Sequence, residues 1–316
     1  MVNLKFILIN LVTGGAGFLG SYLIEKLLEK KEKVICIDNL STGQIESISH
    51  LFKNDLFEFI NHDVINPIEI DCDRVWHLAC PASPIKYQKN PINTTKTSFL
   101  GTYNMLGLAL RNKARLFFAS TSEVYGDPDI SPQKENYKGS VNPIGTRSCY
   151  DEGKRVAESL CFDYFRTHNV EIRIARIFNT YGPKMSKDDG RVVSNFINQS
   201  LLNESITIYG DGNQTRSFCY VDDLINGFIK VMESNVTGPI NLGNPNEITI
   251  YELANKIKSK IDNNLNIVHK PLPQDDPKQR NPDITKAKEI LNWEPKFDLD
   301  LGLDLTIKYF KSIVQK

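Results

Sequence analysis

Residues 6–38 read FILINLVTGGAGFLGSYLIEKLLEKKEKVICID and decide the fold. Phe6 to Val12 is a short apolar run, as expected of a strand buried on both faces of a parallel sheet. Gly14, Gly17 and Gly20 follow at three-residue spacing, and Ser21 to Lys30 then carries apolar residues at helical spacing. Val34 to Asp38 (VICID) is a second buried strand that ends on a carboxylate.

Strand, glycine turn, helix, strand and acid in that order form the context in which a glycine motif marks a dinucleotide site. Gly14 permits the tight turn, Gly17 lets a pyrophosphate approach the backbone at the positive helix end, and Gly20 permits close helix packing. Asp38 is placed to accept hydrogen bonds from ribose hydroxyls and to repel a 2′-phosphate, so NAD is expected rather than NADP. Phe18 and Leu19 in the loop, Asn39 after the acid, and Asp63 with Val64 in NHDV complete the expected cofactor set. Asp63 reads equally well as a contact or cap near the adenine and as an ordinary loop acid.

Outward from this segment the pattern repeats. Phe57–Asn61, Arg74–Ala79 (RVWHLA), Arg115–Ser120 (RLFFAS) and Glu171–Phe178 (EIRIARIF) read as strands. Helices are expected over Thr97–Arg111 and Asp151–Thr167. Alternation of this kind predicts an α/β fold: a Rossmann-type doubly wound parallel sheet. After Gly182 the texture changes to Pro- and Gly-marked loops around Ile206–Tyr209, with helices near Val221–Met232 and Thr249–Lys260. We expect residues 1–178 to form the NAD-binding domain and residues 179–316 a smaller, partly interleaved substrate-binding region.

The chain has 316 residues, 38 basic and 38 acidic side chains and no long basic block, which argues against a nucleic-acid partner. The apolar start is interrupted at Asn10 and is far short of the roughly 20 residues a membrane span needs. It also lacks the form of a signal peptide. With no anchor expected, and six scattered cysteines without a CxxC pair, a reducing cytoplasmic location is predicted. The five histidines do not combine with the cysteines into a zinc spacing, so no metal is expected.

Tyr150 and Lys154 stand four apart on one helical face, about 30 residues after Ser120-Thr121-Ser122 at a strand end. A neighbouring ammonium is expected to lower the phenol pKa, so that Tyr150 removes a hydroxyl proton while a nicotinamide accepts hydride. His77, Trp76, Phe117 and Phe118 read as packed sheet core.

Taken together, these features resemble the extended short-chain dehydrogenase/reductase family of nucleotide-sugar enzymes. Within it, HLACPAS (77–83), ASTSEVYGDP (119–128), NPIGTRSCYDEGKR (142–155), RIARIFNTYGP (173–183), DDGRVVSNFI (188–197), YGDGNQTRSFCYVDDL (209–224) and DDPKQRNPDITKAKEILNWEP (275–295) are similar to the UDP-glucuronate decarboxylases. Thr146 stands where that family usually has Glu. The resemblance implies Tyr150 and Lys154 as the catalytic pair, with Ser122 or Thr121 bonding the hydroxyl at C4. It further implies Glu123 managing protons near C5 and C6, and Arg280 near the substrate carboxylate. Tyr87, Asn179, Arg191, Gln214 and Arg216 are expected to hold UDP-glucuronate, with Tyr87 closing over the sugar.

Oxidation at C4 places a ketone beta to the C6 carboxylate, so carbon dioxide can leave without a metal. The C4 oxygen carries the resulting charge. Three alternatives share much of the machinery. A 4,6-dehydratase would usually carry Asp where Ser122 stands, a decarboxylase that releases the keto sugar has the same motifs, and a Rossmann fold can serve as a binding module without turnover. Relatives commonly dimerise, and a homodimer through Thr97–Arg111 and Asp151–Thr167 is expected.

Overall fold

The computed structural model describes residues 7–272 and 279–314. Its first half runs β1 (Ile9–Thr13), α1 (Phe18–Glu29), β2 (Lys33–Asp38), β3 (Phe57–Asn61), β4 (Arg74–His77), α2 (Pro84–Lys89), α3 (Pro91–Lys96), α4 (Thr102–Asn112), β5 (Arg115–Thr121), α5 (Ser148–His168) and β6 (Ile172–Ile177). Then follow β7 (Thr180–Tyr181), α6 (Val192–Leu201), β8 (Ile206–Tyr209), β9 (Thr215–Ser217), β10 (Cys219–Tyr220), α7 (Val221–Glu233) and β11 (Ile240–Leu242). The chain closes with β12 (Glu247–Thr249), α8 (Ile250–Ile261), β13 (Ile267–Lys270), β14 (Gln279–Arg280), α9 (Thr285–Leu291) and α10 (Leu299–Val314).

Seven strands form the main sheet in the order β11-β6-β5-β4-β1-β2-β3, with every neighbouring pair parallel. Alternate residues of each strand enter opposite layers, as the pleat requires. Leu11, Val75, Leu116 and Phe118 pack under α4 and α5 with Met105, Leu106, Ala109 and Ala157. Val12, Trp76, Phe117 and Ala119 pack on the other face with Leu23, Ile24 and Leu27 of α1 and Phe228 and Val231 of α7. Both faces are therefore covered, which is why the strands read as continuous apolar runs. The protein has the Rossmann-type α/β fold.

Several boundaries differ from the sequence reading. β1 runs Ile9–Thr13 instead of Phe6–Val12, and Phe6 lies outside the described residues. β4 stops at His77, two residues before the predicted Ala79. The helix predicted from Thr97 is preceded by α2 and α3 and opens with a wide turn, Thr97–Gly101, that joins α3 to α4. α2 and α3 each begin on a proline at the first turn, and the Asn90 side chain accepts from Asn93 N. Proline suits that position because its missing N–H would have no helical partner there. β11, far along the chain, returns to extend the main sheet beside β6.

Candidate active site

The strands of the main sheet end at a cleft of about 610 Å³, within the range of small-molecule sites. All of the residues proposed from the sequence line it: the glycine loop, Asp38, Asp63 and the β5 end, together with Tyr87, Asn179, Arg191, Gln214, Arg216 and Arg280.

The glycine loop is closed by the backbone itself. Gly14 has a φ of +71°, and a Cβ there would sit 2.8 Å from the Ala79 backbone. A Cβ on Gly20 would meet the Gly14 carbonyl oxygen at 2.2 Å. Asp38 is buried; its Oδ2 accepts from Ala16 N at 3.0 Å and its Oδ1 from Leu40 N at 2.8 Å. Burial pushes its pKa up, while those two N–H groups pull it down. Asp63 Oδ2 accepts from Asn39 Nδ2 at 2.9 Å, and its Oδ1 accepts from Ile65 N, so Asp63 steadies the residue beside Asp38. Val64 is buried, with its carbonyl accepting from Asn104. A glycine-rich loop at a helix N-terminus and a fixed carboxylate at the next strand end fit a dinucleotide.

α5 projects Tyr150 and Lys154 toward the end of β5. Lys154 Nζ donates to the Ala119 carbonyl at 2.8 Å and lies 4.8 Å from the Phe118 ring centroid. The Thr121 hydroxyl accepts from Glu123 N at 3.2 Å. Ser122 is buried beside it. The expectation that Lys154 lowers the Tyr150 pKa is corrected. Burial pushes Tyr150 up, Cys80, Glu123 and Asp151 push the same way, and only the Thr121 hydroxyl is a notable opposing influence. Lys154 is itself lowered by burial, and its ammonium is engaged by a carbonyl.

Glu123 occupies the centre of a charge cluster. Arg147 Nη2 donates to its Oε2 at 2.5 Å and Arg280 Nη2 to the same oxygen at 3.1 Å. Burial alone would raise its pKa; Arg280, Arg147 and Arg216 outweigh burial and bring it down to about 2. Asp151 Oδ2 lies 3.6 Å from Arg147 Nε, and burial together with Glu123 lifts its pKa to about 7. Arg280 is fully buried, and its Nη1 has no hydrogen-bond partner among the described residues. The first four residues of its sequence block, 275–278, lie outside the described residues.

Around this centre, Arg191 pairs with Asp189 and stands over the Phe18 ring at 5.9 Å. Arg216 Nη1 donates to the Thr215 carbonyl, and Arg216 faces Arg280 in the register of β9 and β14. Gln214 Nε2 donates to the Tyr209 carbonyl at 2.7 Å. The Asn179 carbonyl accepts from Cys219 N, so its backbone is fixed by β10. Tyr87 is buried with its hydroxyl unpartnered among the described residues. His77 is a core residue held between the Thr13 and Thr102 hydroxyls, with its pKa brought down to about 3 by burial and Lys154.

Sequence reasoning missed Arg147 and Asp151 as members of the site. The signal was local, an Arg and an Asp four apart at the start of the Tyr-Lys helix. Their importance, however, comes from Glu123 and Arg280 converging on them from distant segments.

A dinucleotide cradle facing a Tyr-x-x-x-Lys helix, on a parallel sheet, defines an extended short-chain dehydrogenase/reductase. The chain belongs to the GDP-mannose 4,6 dehydratase family, matching its model over residues 11–306, and within it to the UDP-glucuronic acid decarboxylases. It is 57% identical over 303 residues to UDP-glucuronic acid decarboxylase 2 of Arabidopsis thaliana, covering 96% of this chain and 68% of that one. It is 58% identical to decarboxylase 3 of the same plant, covering 95% and 88%, and 55% identical to decarboxylase 1 of Danio rerio, covering 95% and 72%. Among solved structures it resembles UDP-glucose 4-epimerase from Thermotoga maritima, with 30% identity, a TM-score of 0.88 and 97% and 99% coverage of the two chains. It also resembles UDP-glucuronic acid 4-epimerase from Bacillus cereus in complex with UDP-glucuronic acid and NAD. There the identity is 29% and the TM-score 0.85, with 96% and 99% coverage.

Proposed function

We propose that the protein converts UDP-glucuronate to UDP-xylose and carbon dioxide, with NAD as a cofactor regenerated in each cycle. When bound, NAD supplies the acceptor for the C4 hydride and its donor for the return step. The residues that would hold it are Gly14, Gly17, Phe18, Leu19, Gly20, Asp38, Asn39, Asp63 and Val64, with Tyr150 and Lys154 at the reacting end. On this assignment residues 1–178 carry the cofactor and residues 179–316 mainly the UDP-sugar. Tyr87, Asn179, Arg191, Gln214 and Arg216 bind the latter.

The observation that carries the assignment is the Glu123–Arg147–Arg280 cluster beside Tyr150. A decarboxylase must hold the substrate carboxylate and stabilise the charge left at O4. Arg280, buried with Nη1 unpartnered, offers a guanidinium fork suited to a carboxylate. Tyr150 would take the O4 proton during oxidation as the phenolate, a form that the positive charge of bound oxidised NAD would favour against burial. Its raised pKa then keeps that proton available for hydrogen bonding to the enolate oxygen, together with Thr121 or Ser122. Glu123, held as a carboxylate, accepts a hydrogen bond from a water that protonates C5. It has no proton of its own to expel hydroxide, which disfavours a 4,6-dehydratase. One proton is consumed for each carbon dioxide released, and the returned hydride restores the C4 hydroxyl.

A homodimer is proposed through α4 and α5, which expose Tyr103, Leu110, Val156 and Phe165. The six unpaired cysteines suit a reducing compartment, and we assign the protein to the cytoplasm. No helix among the described residues is long and apolar enough to cross a membrane.

The test is incubation of the purified protein with UDP-glucuronate and NAD, following carbon dioxide, product mass and the near-ultraviolet absorbance of reduced nicotinamide together. Carbon dioxide with UDP-xylose and no lasting absorbance is the expected result. Carbon dioxide with stoichiometric NADH would mean that the keto sugar escapes, and neither signal from cofactor-loaded protein would overturn the assignment.

A further inference from the structure

α5 places a third polar residue on the stripe that carries Tyr150 and Lys154. Glu158 lies one turn beyond Lys154 and is buried. Its Oε1 accepts from Ser120 Oγ at 2.5 Å, and its carboxylate takes Arg176 Nε and Nη2 at 2.9 and 2.7 Å. Arg176 Nη1 continues to the Tyr125 hydroxyl at 3.0 Å, and that hydroxyl donates to Asn241 Oδ1 at 2.7 Å. Asn241 Nδ2 donates to the carbonyls of Gln133 and Asp283, at 2.9 and 3.1 Å.

The far end of this chain grips the backbone next to Arg280. Gln133 N donates to the Asn281 carbonyl, Asn281 N donates to Gln133 Oε1, and Asp283 N donates to the Gln133 carbonyl. β14 itself is only two residues long and meets β9 at two register positions. Its own pairing is therefore a slight anchor for the arginine at its end. A buried ion pair such as Glu158–Arg176 contributes little net stability compared with a well-packed apolar pair. Its worth lies in fixed geometry: the two ends of the chain are the catalytic helix and the Arg280 segment.

We propose that this buried strut, from Glu158 through Arg176, Tyr125 and Asn241 to Gln133, positions Arg280 for the substrate carboxylate. Tyr125, Asn241 and Gln133 are then positioning residues: none of them lines the cleft. They set where the Arg280 guanidinium stands relative to Tyr150. The proposal rests on the reading of Arg280 as the carboxylate partner.

The test compares binding of UDP-glucuronate with that of UDP-xylose, which lacks the carboxylate, by calorimetry on the enzyme loaded with NADH. The reduced cofactor prevents C4 oxidation, so the sugar binds without turnover. Tyr125→Phe removes one hydroxyl from the middle of the strut. Gln133→Met, nearly the same in volume, removes the Oε1 acceptor of Asn281 N beside Arg280, leaving only the backbone bonds there, and decides the matter if the first variant does not fold. Wild type is expected to prefer UDP-glucuronate. In both variants that preference should fall by about tenfold while the UDP-xylose affinity stays within about twofold, the scale of one hydrogen bond to a charged group. A retained preference, or equal weakening of both ligands, would overturn the strut. Arg280→Met separates the two failures. If it loses the preference while the strut variants keep it, only the strut fails; if it also keeps the preference, or wild type shows none, the carboxylate reading fails with it.

Discussion

Tyr87 lies flat on Tyr150, with ring centroids 5.0 Å apart and planes 3° from parallel. The contact fixes the plane of the Tyr150 ring, and with it the direction in which the hydroxyl would meet the proposed sugar. Stacked aromatic pairs are worth about 0.5–1.5 kcal/mol beyond simple burial. Tyr87→Leu removes the stack, and kcat is expected to fall about tenfold because Tyr150 loses its orientation. Tyr87→Phe keeps the stack and removes only the hydroxyl, so its effect should fall on KM for the UDP-sugar. Steady-state kinetics of the two variants check this; equal effects on kcat would show that the stack does not orient Tyr150.

Glu123 is the counter-charge for two guanidiniums. Glu123→Gln leaves Arg147 and Arg280 beside a neutral amide, and uncompensated buried charge is destabilising by about 3–5 kcal/mol. Denaturant unfolding should show a loss of that order at pH 7. The sign follows from a folded-state pKa of about 2, below the ordinary value of 4.5. The stabilisation from Glu123 is complete above the ordinary value and is lost as pH falls toward 2. The gap between variant and wild type should therefore close in acid.

Asp151 has the opposite sign. Its pKa is raised from 3.8 to about 7, so ionising it costs stability in the folded protein. Its favourable contribution is complete below the ordinary pKa and is lost as pH rises through about 7. Asp151→Asn, which cannot ionise, should match wild type in acid and exceed it above pH 7 by a few degrees in Tm, on the order of 5 °C. Thermal melts of both proteins across this range decide the point. A constant difference would mean that Asp151 keeps one charge state throughout.

The cofactor preference should reside in Asp38. Asp38→Asn removes the charge that repels a 2′-phosphate and leaves one oxygen to accept from either Ala16 N or Leu40 N, which Asp38 bonds through two separate oxygens. NAD is expected to bind about tenfold more weakly and NADP more tightly, as read by fluorescence titration of the reduced cofactors. Unchanged selectivity would place the discrimination elsewhere in the loop.

Much of this arrangement is written locally in the chain, and some of it is not. The β1–glycine–α1–β2 unit is legible because turn, helix and acid lie within a few dozen residues and each has a distinct residue requirement. The central strands are legible because burial on both faces makes them unbroken apolar runs. Strand ends slip by one to three residues because burial fades gradually at a sheet margin. α2 and α3 have six residues each, too few to show a period, although Ser83-Pro84 and Asn90-Pro91 mark both starts. β11 is three residues whose strand character comes only from β6 beside it. The same holds for Arg147 and Arg280, which meet Glu123 across 24 and 157 residues of chain. The Tyr150 pKa went astray for a related reason: i,i+4 spacing placed an ammonium nearby but did not show that the Ala119 carbonyl engages it.

The proposed dimer is tested at α4 and α5. Tyr103 packs edge-on against Tyr164, joining the two helices, while Tyr103 and Val156 remain exposed. Apolar side chains left outward on two adjacent helices suit a self-complementary two-fold contact. A carboxylate brought into the middle of such a contact meets its own symmetry copy across the axis, so Val156→Glu introduces two like charges into a desolvated patch. Light scattering should report a dimer for wild type and a monomer for Val156→Glu, with the proposed NAD site still loading in the monomer because a single chain lines the whole cleft assigned to it. A wild-type monomer would remove the proposal. A dimer that survives Val156→Glu would move the interface to another face.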